Sequence, residues 1–561
     1  MSRSFFIVCR ACGHRRPFLG PLAACLNCGQ RWLDAVYDLE VWLDGRWPNQ
    51  IAQYGANLWR YRDLLPLQLD ENIITLGEGW TPLIQAHNLG LMLGHDNIYI
   101  KDERQGPTSS FKDRQAAIAV SALKEAGIKE AVVASTGNVA IAYSAYCARA
   151  GIKLWVFVTS SVPADKMREV AIYGSEVIKV AGTYDQCKQV AAEFAASKNI
   201  FLDQGIKGIA AKEAMKTLAF EVAEQLGNFA AGADPLLPHG NRHPWQAPDW
   251  YLQAVSGGLG PVGVMKGFQE MKTLGLIDKL PKLACFQVSG CAPMANSFHK
   301  GLAVAEDVLH PITDITTLAT GKPGQAYEVL RELILENGGT IDAISDMEAF
   351  NAMHVVAKMD GISVEPATAV AFAGLFKLIR QGIIRPDETV VINCSGHTFP
   401  VEKHIIGEQF TRDLDLTADG TTHGREEGIL TAFEELDARV QRIAIVEDNL
   451  DAARLLRRIL QAQGEFLIEE AHNGIDGLRL IREHKPNLVI LDLTMPGMDG
   501  FAIVEAMKAD TILKDIPIIV ITAKELTTIE WQRLNGKVKA LLQKGSFMDS
   551  DLLNDIRQAL P

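Results

Sequence analysis

The 561-residue chain lacks any apolar run of the roughly 18 residues that a membrane-crossing helix needs, so no membrane partner is expected. Between Met1 and Gly13, Arg3, Cys9, Arg10 and Cys12 stand where a secretory leader would be apolar, and the chain reads as cytoplasmic. An excess of positive charge is missing too. The 55 Lys and Arg face 68 Asp and Glu, a formal net charge of -13, which disfavours a basic groove and any nucleic-acid partner. Cysteine is scarce, nine in all, which excludes a disulfide scaffold. Disorder over most of the length is excluded by a 48% apolar content, and the length suffices for roughly three to four domains with cores.

Four of the nine cysteines sit together, as CRAC (Cys9, Cys12) and CLNC (Cys25, Cys28), a C-x2-C pair repeated once. Two such knuckles supply four thiolates for a closed tetrahedral site, so the implied metal is a structural zinc ion with no position left for water. Gly13 and Gly29 follow the pairs, where a left-handed turn would aim backbone amides at sulfur. Unligated cysteines in a small hairpin, or a redox pair, are the alternatives.

From about Ile73 to Pro400 short apolar runs alternate with amphipathic helical stretches, the pattern of stacked β/α units around mostly parallel sheets. Three strand-to-helix turns are rich in small polar residues. In GPTSSFKDR, Thr108, Ser109 and Ser110 offer caps to a helix starting near Phe111, with Lys112 in its first turn. A cation there opposes the helix dipole, so Lys112 is either a solvated surface lysine or an amine held for Schiff-base chemistry. In ASTGN, Ser135, Thr136, Gly137 and Asn138 suit an anion such as a carboxylate, or form a plain capping loop. In SGGLG, Ser256, Gly257, Gly258, Leu259 and Gly260 would let backbone N–H groups approach a phosphate, though the spaced dinucleotide fingerprint is absent.

In order, IITLGEGWTPLI (73–84), KDERQGPTSSFKDR (101–114), ASTGNVA (134–140), SGGLG (256–260), GCAPM (290–294), VEPATAVAFAGL (364–375) and CSGH (394–397) resemble threonine synthase. The likeness runs upstream through VYDLE (36–40), LWRYRDLLP (58–66) and the cysteine ribbon, covering roughly residues 1–400. It implies a fold-type II pyridoxal 5'-phosphate enzyme of two α/β lobes, acting on a small amino-acid substrate and forming a homodimer. Residue by residue, it implies that Lys112 binds the cofactor covalently and moves protons, and that Asn138 meets the cofactor's phenolic oxygen. Ser135 and Thr136 would hold the substrate carboxylate, Gly257, Gly258, Leu259 and Gly260 the cofactor phosphate, and Ser395 would face the pyridine nitrogen. The implied reaction takes O-phosphohomoserine and water to threonine and phosphate.

The sequence departs from that pattern near the leaving group. Val139 follows Asn138, VPADK (162–166) replaces a Pro-x-Gly-Lys motif, and Gly208 and Ala211 fall where Asn and Arg are expected ahead of Glu213, Lys216 and Thr217. Residues 396–400 also lack a downstream Lys-Asp. These changes keep open a threonine or serine dehydratase, and a non-catalytic amino-acid sensor.

Residues 401–440 are rich in charge and in turn residues and read as a linker with a helical end from Glu426. Beyond them, five apolar strands with helical stretches between them fit a doubly wound α/β domain whose site lies at the strands' carboxyl ends. Glu447, Asp448 and Asp492 gather there, with Thr522 and Lys544 ending later strands; three carboxylates in one place call for a cation such as Mg²⁺. This segment resembles a response-regulator receiver. The likeness makes Asp492 the phosphoryl acceptor, Glu447 and Asp448 magnesium holders, Thr522 the switch hydroxyl and Lys544 its ion-pair partner, with a sensor histidine kinase or phosphotransfer protein as partner. Leu541 in place of an aromatic switch residue and Gly545 in place of proline put the usual readout in doubt. The expected plan is α/β throughout: a zinc ribbon (1–40), a two-lobed body (41–400), a linker (401–440) and a flavodoxin-like receiver (441–561) that regulates or recruits the enzyme.

Overall fold

Alternating burial of Phe5, Ile7 and Cys9 makes the first apolar run strand β1 (Phe5–Cys9), which pairs antiparallel with β2 (Arg15–Pro17) and β3 (Leu33–Tyr37) in the order β2-β1-β3. The computed structural model describes all residues except 1–4, 18–23, 136, 160–161, 163, 182–183, 204–207, 398–440, 464–465, 525 and 544–561. Thr136, Lys544, Gly545 and the expected linker therefore lie outside the described residues. The chain packs as two units, one of Met1–Ala86, Asn97–Met353 and Ser363–Phe399, the other of His87–Asp96, His354–Ile362 and Pro400–Pro561.

The first unit continues with β4 (Leu83–Gln85), β5 (Ile98–Asp102), β6 (Glu130–Ser135), β7 (Lys153–Thr159), β8 (Glu176–Val180), β9 (Phe201–Leu202), β10 (Trp250–Ala254), β11 (Lys282–Val288), β12 (Gly339–Ile344) and β13 (Val390–Cys394). They form two sheets, β8-β7-β6-β9 and β12-β11-β10-β13-β5-β4. All pairs are parallel except β4 with β5. Helices cover parallel strands on both faces, which is why runs such as Trp250–Ala254 and Val390–Cys394 are buried at every position.

Five helices position the site: α1 (Lys112–Glu125), α2 (Asn138–Ala150), α3 (Ile209–Ala230), α4 (Leu259–Thr273) and α5 (Pro366–Arg380). In α3, 19 of 22 residues are buried, its charged ones included, so those charges must be paired. Arg114 of α1 forks between Glu103 (2.7 and 2.8 Å) and Glu221 (2.6 and 2.8 Å), and Lys101 meets Glu221 at 2.7 Å. Arg60 grips Glu224 at 2.7 and 3.1 Å. Glycine lets α4 press against α3. A Cβ on Gly263 would stand 2.4 Å from the Lys212 carbonyl oxygen, and one on Gly267 2.5 Å from that of Lys216.

The same two helices hold the ribbon. Lys212 donates to the Leu33 carbonyl at 2.6 Å and meets Asp34 at 3.0 Å, Lys266 donates to the Ala35 carbonyl, and the Lys216 ammonium lies 3.8 Å from the Tyr37 ring centre.

In the second unit β14 (Gln441–Val446), β15 (Phe466–Ala471), β16 (Leu488–Leu491), β17 (Ile518–Thr522) and β18 (Ala540–Gln543) form a wholly parallel sheet, β15-β14-β16-β17-β18. Ala444, Val446, Val489, Leu491 and Val520 pack with Leu478, Phe501 and Val504 on one face, and Ile443, Ile445, Ile490 and Ile519 with Leu456 and Leu460 on the other. That is the five-stranded doubly wound arrangement expected from the sequence.

Candidate active site and metal centres

Parallel register sets where the site lies. Leu252 of β10 faces Ile392 of β13, so the turn from Ser256 to Gly260 and the residue Ser395 leave the same carboxyl edge on adjacent strands. Hydrogen bonds then tie the motif segments together. Phe111 N–H donates to the Ser395 carbonyl at 3.0 Å, His397 N–H to that of Ser109 at 3.1 Å, and Ser110 bridges Gly396. The Glu365 N–H donates to the Gly396 carbonyl at 3.2 Å, and Asn138 Nδ2 reaches both carboxylate oxygens of Glu365 at 3.0 Å. Segments 227 residues apart in sequence thus meet at one carboxylate.

Lys112 is the first residue of α1, and its N–H reaches Ser110 Oγ at 3.4 Å. The expected caps are otherwise absent: Phe111 is the N-cap, and Thr108 binds Asp113 instead, through N–H at 2.9 Å and Oγ1 at 2.6 Å. Ser109 takes a left-handed φ of 57°. Burial pushes the Lys112 amine down to about 8, against the opposing pull of Glu365 and Asp203. The ammonium lies 4.1 Å from the Phe111 ring centre.

Ser135 ends β6, and its Oγ accepts the N–H groups of Gly137 and Ala140, both at 3.1 Å, which is the capping alternative read from the sequence. Gly258, at φ 78°, caps α4, so Leu259 and Gly260 are its first residues, whose N–H groups find no carbonyl one turn back within the helix. A Cβ on Gly257 would meet nothing within 4 Å, whereas one on Gly260 would strike Gln253. Ser395 Oγ shares a 2.7 Å hydrogen bond with Thr368 Oγ1. A partly buried amine of lowered pKa, a hydroxyl and an open glycine turn at a helix start form a donor set that fits an aldehyde cofactor carrying a phosphate.

Glu365, Lys166 and Thr368 complete this cluster without having been singled out from the sequence. Lys166 Nζ lies 3.4 Å from Asn138 Oδ1 and 4.0 Å from Glu365, and a Cβ on Gly137 would meet it at 3.5 Å. The VEPATAV motif contained two of these residues, but nothing in it said that the glutamate faces an asparagine. Of the altered positions, Gly208 caps α3 and Ala211 is buried; the retained Glu213 and Lys216 are enclosed in the ion-pair network between α3 and α4, and Thr217 Oγ1 accepts from Arg114 of α1 at 3.0 Å.

The four N-terminal sulfurs lie within 4.8 Å of one another, with Cys9 to Cys28 at 3.6 Å and Cys12 to Cys25 at 3.8 Å. Four sulfurs about 2.3 Å from a shared tetrahedral ion stand about 3.8 Å apart, so the set fits zinc. Gly13 and Gly29 are left-handed as expected, at φ 68° and 72°. Their amides, however, donate to the Cys9 and Cys25 carbonyls, and it is Asn27 N–H that approaches Cys25 Sγ, at 3.4 Å. The turn closes on its own carbonyl first, which corrects the expectation of glycine amides aimed at sulfur.

In the receiver-like unit the ligand oxygens of Glu447, Asp448 and Asp492 also lie within 4.8 Å of one another. Val446 faces Leu491 across β14 and β16, which sets the first two carboxylates beside the third. Thr522 ends β17, buried, and its Oγ1 accepts the Lys524 N–H at 3.1 Å. Such a carboxylate cluster suits a hard divalent cation.

Residues 74–396 match the family described as "Pyridoxal-phosphate dependent enzyme", and residues 443–557 match "Response regulator receiver domain". Threonine synthase of Methanocaldococcus jannaschii is 33% identical over 394 residues, covering 67% of this chain and 92% of that protein. The chain belongs to the threonine synthase family. Threonine synthase of Methanosarcina acetivorans is 31% identical, over 70% of this chain and 91% of its own length, and that of Mycobacterium bovis is 34% identical, over 63% and 88%. Within this threonine synthase family member, the receiver domain follows the region of enzyme similarity. It implies a phosphorelay partner kinase. Among the described residues no helix is long and apolar enough to cross a membrane.

Proposed function

We propose that residues 41–400 convert O-phosphohomoserine and water to threonine and phosphate. The observation that carries this reading is the hydrogen-bonded meeting of the Lys112, Asn138, Glu365 and Ser395 segments at one strand edge. Threonine synthase relatives that this chain matches over about nine tenths of their length support the same chemistry and leave the dehydratase and sensor readings with less support.

When bound, pyridoxal phosphate supplies an electron sink for charge developing beside the substrate nitrogen. Lys112 would hold it, and its Nζ is suited to taking and returning protons because burial brings the amine down to about 8. The Gly257, Gly258, Leu259 and Gly260 amides at the start of α4 would hold its phosphate, and Asn138 would donate to its phenolic oxygen. Ser395, a neutral hydroxyl, would partner the ring nitrogen. Ser135 and Thr136 receive the substrate carboxylate through hydroxyl and backbone donors. Residues 1–40 form a zinc ribbon held by Cys9, Cys12, Cys25 and Cys28.

Residues 401–440 link this enzyme to a receiver, 441–561, in which Glu447, Asp448 and Asp492 hold magnesium and Asp492 accepts a phosphoryl group, with Thr522 and Lys544 responding to it. Its donor is a sensor histidine kinase or phosphotransfer protein. The enzyme is a cytoplasmic homodimer whose turnover or assembly the receiver alters. The deciding experiment offers O-phosphohomoserine to the cofactor-loaded chain and measures threonine and phosphate. Equal amounts of both are expected; no release from a protein that binds the cofactor would overturn the substrate assignment.

A further inference from the structure

Asn138 is held between opposite charges. Its Nδ2 lies 3.0 Å from each oxygen of Glu365, and its Oδ1 lies 3.4 Å from Lys166 Nζ. Turning the amide over would set oxygen against two carboxylate oxygens and N–H against an ammonium, so only one orientation satisfies the network. Glu365 is itself well fixed. It is only 4% exposed, precedes α5, donates its N–H to the Gly396 carbonyl, and would clash at 2.7 Å with any Cβ on Gly396. A carboxylate buried to that degree is costly unless its partners hold it, and here they are Asn138 of α2 and, at 4.0 Å, Lys166, while the backbone of Glu365 is tied to the Ser395 loop.

We infer that Glu365 is a positioning residue: it locks the Asn138 amide so that an N–H, not the carbonyl oxygen, remains for the cofactor's phenolic oxygen, and it keeps a negative charge beside Lys112. This deepens the reading under Proposed function and rests on it. Both effects act through other residues, since Glu365 is not required to touch substrate. The charges that act on Lys112 are Glu365 from the start of α5 and Asp203 from beyond β9, both favouring its cationic form; Lys166, a cation, lies 4.0 Å from Glu365.

The test compares full-length holoenzyme carrying Glu365→Gln or Glu365→Met with wild type. It reads pyridoxal phosphate affinity, the pH midpoint of the bound cofactor's visible absorbance, and kcat and KM for O-phosphohomoserine. Gln keeps the shape and one acceptor for Asn138 but removes the charge. It should bind cofactor within about threefold of wild type while its absorbance midpoint falls by roughly half a pH unit or more, because a carboxylate that favoured the protonated form is gone. Met removes the acceptor as well, and kcat should fall at least tenfold further than with Gln, with KM changing less. Unchanged midpoints in Glu365→Gln would overturn the inference, as would equal kcat losses in the two variants. Wild type that binds cofactor but yields no threonine would instead count against the substrate assignment, and the absorbance midpoints would still decide the role of Glu365.

Discussion

Lys112 places its amine in the first turn of a helix, where burial favours the neutral form against the opposing pull of Glu365 and Asp203. Because the amine is held down at about 8 instead of 10.5, the nucleophilic form is populated from about pH 8 upward. The rate at which cofactor-free protein takes up pyridoxal phosphate should therefore rise through pH 8 and then level off. An uptake rate that climbs only near pH 10.5 would sink this account, and Lys112→Ala should show no covalent uptake at any pH. Three residues earlier, Ser109 sits at φ 57° with its side chain exposed, a conformation glycine adopts without a Cβ penalty. Ser109→Gly should leave the Ser109 carbonyl bonded to His397 and raise stability by up to about 1 kcal/mol, read as an increase in Tm. The sequence alone leaves Lys112 indistinguishable from a surface lysine, and it was the order of seven motifs that marked it. Glu365 was not legible as a partner of Asn138, because a glutamate before Pro-Ala-Thr looks like an ordinary helix flank and its partner lies 227 residues away.

Among elements, strands were the easiest to read, since runs such as WYLQA and VVINC are mostly apolar and are buried at every position. Helix α3 was the hardest. Its Lys212, Glu213, Lys216, Glu221 and Glu224 suggest a solvated face, yet all are buried against Arg60, Lys101, Arg114, Lys266 and the ribbon, contacts that no local pattern announces. Arg114→Met would take the guanidinium from buried Glu103 and leave Glu221 with Lys101 alone, and urea denaturation should show a loss of about 3–5 kcal/mol. Loss of cofactor affinity should accompany it, because Arg114 sits two residues from Lys112 on the same helical turn. A loss below 1 kcal/mol would mean that the network rearranges. Likewise Gly263→Ala places a methyl where the Lys212 carbonyl stands, so α3 and α4 must separate, at about 1–3 kcal/mol. The ribbon strand β3 is held by Lys212 and Lys266 from those two helices. Chelating the zinc should therefore lower the Tm of the enzyme unit, not of an isolated ribbon alone; an unchanged Tm after verified metal loss would show the ribbon to be energetically separate.

At the scale of the molecule, a doubly wound sheet with a carboxylate cluster at its strand ends accompanies the enzyme. Treating the full chain with a small phosphodonor and magnesium should phosphorylate wild type and not Asp492→Ala, and should change either threonine formation or assembly size in wild type alone. Identical kinetics and size in both proteins would discard that coupling. Helix α3 bears on the molecule in a further way. Its backbone amides are shielded along nearly the whole length by packed side chains from the ribbon, α1 and α4. Exposing them requires that these packed elements part, so in deuterated water they should be among the last in the enzyme unit to lose their protons, exchanging at a rate that reports its global unfolding. A peptide spanning Ala214–Asn228, followed by mass spectrometry, would thus serve as an internal gauge of the whole enzyme unit's stability, in every variant named above.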